Sequence, residues 1–118
     1  MAKTVFGQIG RLKKDKIDEY QELHMHAVHT PRWKGVLDMI RDCNIRNYSI
    51  FIRDDLVFGY FEYIGDDYEA DMARMAADPV TQDWWKHTRP CFTKYAEDSK
   101  EAFYSDMKQI FEFSGYAE

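Results

Sequence analysis

No uninterrupted apolar stretch in these 118 residues approaches the roughly 20 needed to span a bilayer, so no membrane association is expected. The amino-terminal MAKTVFGQIG has no apolar run of signal-peptide length, and the expected location is cytoplasmic. Cysteine is scarce. Cys43 and Cys91 lie far apart without a CxxC or Cys/His zinc spacing, which points to reduced, buried thiols rather than a disulfide or metal site. There is no basic stripe either: the formal charge is -5 with the signs interspersed, so nucleic acid is not an expected partner. Internal repeats and low-complexity segments are absent, and the length fits a single domain over residues 1–118.

Aromatic side chains are what the chain has in quantity. They make up 16% of it, with eight Tyr and three Trp, more than a small core needs, and this favours an aromatic-lined pocket or an interface. Their centre is CNIRNYSIFIRDDLVFGYFEY, Cys43 to Tyr63, which reads as two β-strands joined at Asp54-Asp55. Strict alternation puts Asn47, Ser49 and Phe51 on one face of the first strand and Arg46, Tyr48, Ile50 and Ile52 on the other. Two strands alone are not stable in water, so the flanking segments must supply further strands and a helical cover.

Those segments have readable periods. Thr4 to Leu12 reads as a first strand, and Lys13 to His24 as an amphipathic helix. MHAVHTPR, Met25 to Arg32, carries two histidines and Pro31 and is expected to be a loop or helix break. Val36, Leu37 and Ile40 predict a second helical piece from Trp33 to about Asp42. After Gly65 a third helix is expected, started by Asp66 or Asp67, and Asp78-Pro79 opens a short helix to His87 that displays Trp84 and Trp85. Lys94 to Ser105 is polar and weakly patterned, and Met107 to Phe113 suggests a last strand. This order is that of an α+β, ferredoxin-like split βαβ sandwich. Its sheet has helices on one face only, so a second copy covering the other face, as a homodimer with a barrel-like core, is expected.

Tyr20 and His24 stand four apart on the first helix and so project from one face. A histidine and a phenol together suit proton transfer near neutral pH, although the same spacing also describes a solvated helix edge. His24, His26 and His29 invite a metal reading, but their spacing matches no standard motif, and a solvated His-rich loop accounts for them more simply. Trp84 and Trp85 are adjacent and must point in different directions, so one can be core while the other faces a pocket, where a flat ring can stack on a sugar.

The segments EYQELH (19–24), CNIRNYSIF (43–51), LVFGYFEYIGDDYEADMARMAADP (56–79) and TQDWW (81–85) together resemble the L-rhamnose mutarotase family, over about Thr4 to Phe113. The resemblance implies a dimeric α+β barrel that interconverts the α and β anomers of a 6-deoxy-aldopyranose without cofactor or metal. It implies that Tyr20, His24, Tyr48, Trp84 and Trp85 surround the monosaccharide, with His24 as proton donor and Tyr20 or Tyr48 binding or relaying opposite. The chain departs from the family where Met25 to Arg32 lengthens the connection to Trp33-Lys34, which leaves His26 as a rival to His24, and at Pro90-Cys91-Phe92. The sugar is accordingly L-rhamnose, with L-fucose or a related sugar open. Two other readings compete: a cofactor-independent monooxygenase or haem-binding barrel using Asn47, Trp84 and His87, by fold analogy, and a non-catalytic ligand-binding module.

Overall fold

A computed structural model describes residues 3–100 and 102–115 of the chain. Strand β1 (Thr4–Leu12) is followed by α1 (Ile17–Met25), α2 (Lys34–Asp42) and the hairpin β2 (Ile45–Arg53) and β3 (Leu56–Tyr63). Then come α3 (Tyr68–Ala77), α4 (Pro79–Thr88), a two-residue β4 (Phe92–Thr93) and β5 (Ser105–Met107). The strand order is β2-β3-β1-β4, antiparallel throughout, which is the split βαβ arrangement expected from the sequence. β5 joins the same edge of the sheet as β4 but nearer the start of β1, pairing Gly7 with Met107 and Ile9 with Ser105.

Register separates the two faces. Phe6 pairs with Phe61, Gly10 with Val57 and Ile50 with Gly59, and this face is packed against the helices. Leu12, Val57, Cys91 and Phe92 join Tyr20 of α1 in one core cluster, and truncating Leu12 to alanine there would cost about 2–5 kcal/mol. Val28, Trp33, Val36 and Trp84 form a second cluster between helices, and Ile45, Phe61 and Tyr63 a third under α3. The opposite face carries Ile9, Phe58 and Phe51 in one cross-strand row beside Tyr60; Phe51 is 66% exposed and Tyr60 38%.

Local chemistry accounts for the boundaries. Asp67 caps α3 by accepting from the Ala70 amide at 3.1 Å, and Asp78 caps α4 by accepting from both the amide and the hydroxyl of Thr81 at 2.9 Å, with Pro79 in the first turn. Met25 to Arg32 is a helix end followed by two short 3-10 turns, Ala27–His29 and Pro31–Trp33. Two expectations need correction. The alternation of β2 is broken between Arg46 and Ser49, where Asn47 adopts φ 52°, a left-handed value that asparagine tolerates. The extra residue puts Arg46, opposite Glu62, on the open face with Ser49 instead of on Tyr48's face. The last strand also ends at Met107, because pairing with β1 stops there; residues 108–115 run on without regular structure, leaving Ile110 and Phe111 88% and 80% exposed.

Candidate active site

Helix α1 supplies the first two groups. Tyr20 and His24, one turn apart, have ring centroids 4.2 Å apart. Tyr20 is only 3% exposed, is met edge-on by Phe92 at 5.3 Å, and shares a 2.8 Å hydrogen bond between hydroxyls with Tyr104. Phe92 can come this close because Gly10 lies beneath it. A Cβ there would sit 2.7 Å from the Phe92 ring.

Nδ1 of His24 lies 2.9 Å from the Tyr20 carbonyl oxygen. A carbonyl can only accept, so Nδ1 carries the proton and Nε2 is left with its lone pair in the neutral ring. Burial holds the imidazole below its usual 6.5, partly offset by that hydrogen bond, so neutral is the resting form at pH 7. On its other side His24 meets Trp84 edge-on at 5.5 Å, and Trp84 in turn meets Trp33 at 5.0 Å. His26, the rival, points to solvent and pairs with Glu22 at 2.9 Å. Among the described residues no group of three or more His, Cys, Asp or Glu is placed to hold a metal ion.

Tyr48 enters from the sheet. It stays in phase with Ile50 and so lies on the helix-facing side, where its ring meets Phe61 at 5.4 Å. The residue is 41% exposed, and burial around its phenol, helped by Tyr68, pushes its pKa up to about 12. Burial also raises the phenols of Tyr20 and Tyr104, and each is raised further by Tyr48, which places the three hydroxyls in one electrostatic neighbourhood. Trp84 and Trp85 diverge as adjacent helical residues must. Trp84 is buried against His24, whereas the face of Trp85 is covered by the Arg89 guanidinium at 4.1 Å, which also lies over Phe103 at 4.9 Å.

His24 thus touches Tyr20 on one side and Trp84 on the other, Tyr48 approaches Tyr20 from β2, and Trp85 stands to one side under Arg89. Asn47 and His87 are not drawn together: Asn47 donates to Glu62 at 2.8 Å, and His87 packs on Trp33. Tyr104, Trp33 and Arg89 are site neighbours that sequence reasoning passed over; the one available signal for Tyr104 was the aromatic pair Phe103-Tyr104 at the end of a polar run. Chemically, a neutral imidazole that can accept at Nε2 beside phenols that can donate is a paired base and acid without a metal.

A sequence model of the L-rhamnose mutarotase family matches residues 5–113. L-rhamnose mutarotase of Oceanobacillus iheyensis is 30% identical over 107 residues, covering 89% of this chain and 93% of that protein. L-rhamnose mutarotase of Opitutus terrae is 35% identical over 86 residues, 66% and 80% of the two chains. Among solved structures, that of L-rhamnose mutarotase FA22100 from Formosa agariphila superposes with a TM-score of 0.67 at 17% identity, covering 93% of this chain and 98% of the other, which speaks for the fold.

Proposed function

The chain belongs to the L-rhamnose mutarotase family, and from that premise we propose that it interconverts the α and β anomers of a 6-deoxy-hexopyranose, with L-rhamnose as substrate. The observation that carries the reading is the position of His24: its ring is held between Tyr20 and Trp84, its proton is fixed on Nδ1, and Nε2 is left to accept.

Ring opening requires a base for the anomeric hydroxyl and an acid for the ring oxygen. In this mechanism Nε2 of the neutral His24 takes the anomeric proton as the C1–O5 bond breaks and the aldehyde forms, while Tyr20 or Tyr48 donates to O5. Rotation about C1–C2 then presents the opposite aldehyde face. On closure the phenolate recovers its proton from the O5 hydroxyl, O5 bonds to C1, and the imidazolium acts as proton donor to the new anomeric oxygen. No proton or electron is gained or lost over the cycle, so no cofactor enters. Trp84 walls the site beside His24, and Trp85, under Arg89, lies at its margin.

The enzyme is further proposed to work as a homodimer in the cytoplasm, with the open sheet face of one subunit covering that of the other. Saturation-transfer NMR on anomeric mixtures tests the function: exchange between α- and β-L-rhamnose is expected to accelerate with added enzyme. Faster exchange of L-fucose than of L-rhamnose would move the assignment to that sugar, and no acceleration of either would refute it.

A further inference from the structure

The hydroxyl of Tyr20, buried in the site, has its hydrogen-bond partner on a distant part of the chain: Tyr104 Oη, 84 residues on and 2.8 Å away. Tyr104 directly precedes β5, and β5 is fixed to the edge of β1 by antiparallel pairing and by Gln8 Nε2 donating to Asp106 Oδ1 at 2.8 Å. The ring of Tyr104 then lies across β3 where that strand has no side chain: a Cβ on Gly59 would be 3.6 Å from its Cε1. Phe92 meets both rings, Tyr20 at 5.3 Å and Tyr104 at 5.2 Å, so the two phenols are braced against one side chain.

We infer that Tyr104 is a positioning residue for the reaction, which orients the Tyr20 hydroxyl toward the sugar. A phenol has one proton and can accept in two directions. Either hydroxyl of the 2.8 Å pair can donate; with Tyr104 in that role, the single Tyr20 proton is left for an acceptor other than Tyr104. Without that donor the Tyr20 proton is free to turn to any acceptor, and each turnover must first reorient it. The inference rests on the mutarotase reading and adds to it a residue that lies outside the motifs EYQELH, NYSIF and TQDWW.

Tyr104→Phe keeps the ring contacts with Phe92 and the cover over Gly59 while removing the donor. In saturation-transfer NMR it is expected to lower kcat for L-rhamnose on the order of fivefold, the worth of one oriented hydrogen bond, with KM unchanged. Tyr20→Phe combined with Tyr104→Phe is expected to be no slower than Tyr20→Phe alone, because the pair acts as a unit. Losses that multiply independently, an unchanged kcat, or a raised kcat each overturn the inference. Should Tyr104→Phe fail to fold, 3-fluorotyrosine at position 104 retains ring and hydroxyl and strengthens the donor, and a kcat equal to that of the parent would overturn it equally. Wild-type protein inactive on both L-rhamnose and L-fucose would instead sink the mutarotase reading itself.

Discussion

The imidazole of His24 is tied to its own helix, Nδ1 donating across 2.9 Å to the carbonyl of Tyr20 while the two rings lie 4.2 Å apart. The same residue that supplies a phenol to the site therefore also fixes the tautomer of the histidine. One helical turn provides both, through the i to i+4 spacing alone.

A pH dependence follows from this arrangement. The folded state holds His24 below its ordinary 6.5, mainly by burial, so on acidification the unfolded chain takes up its proton first. The unfolded state then binds more protons than the folded one, and stability falls with pH from about 6.5 down through the folded value. The anomerisation rate is expected to have its acid limb in the same window, below 6.5, as Nε2 ceases to accept. His24→Ala should lose on the order of 100-fold or more in rate, and His26→Ala, which breaks only an exposed pair with Glu22, should lose nothing. Rate profiles by NMR decide it; loss of activity in the His26 variant would transfer the role to that residue.

Close approach at the sheet gives a second prediction. Gly10→Ala places a methyl 2.7 Å from the Phe92 ring and 3.3 Å from Val57, and an aromatic ring in a packed core yields little. A cost of about 1–3 kcal/mol is expected, read as a lower urea midpoint at constant m-value. Because Phe92 braces both Tyr20 and Tyr104, kcat should fall too. A midpoint equal to that of the parent would show that Phe92 is free to move and does not hold these phenols in place.

Much of this fold was legible because it rests on local signals. The strand period of Thr4 to Leu12, the stripe Val36-Ile40, the cap Asp67 and Pro79 in a first helical turn all act within a few residues of themselves. What escaped depends on partners far along the chain. The irregularity at Asn47 is defined only against β3, and the extent of β5 shows only in its pairing with Gly7 to Ile9 of β1. Tyr104 is the same kind of case: nothing in Lys94 to Ser105 announces that its hydroxyl meets Tyr20, since β5 pairing alone brings it there. Tyr20 and His24, by contrast, needed only a helix to become neighbours.

The open sheet face supports the last prediction. Ile9, Phe58 and Phe51 form an apolar row across β1, β3 and β2, with Phe51 66% exposed, and a monomer rarely leaves such a surface to water. A two-fold axis over the face would set the row against its own copy, burying apolar area on both sides at once. Phe51→Asp would then bring two carboxylates into an apolar contact at the cost of their desolvation. Sedimentation at micromolar concentration should find the parent at twice the 14.1 kDa chain mass and the Phe51→Asp variant at the chain mass itself. The site groups Tyr20, His24 and Tyr104 lie on the helix-facing side, so a folded monomeric variant should keep part of its anomerisation rate. A parent that sediments as a monomer would remove the dimer from the account and leave the chemistry of His24 untouched.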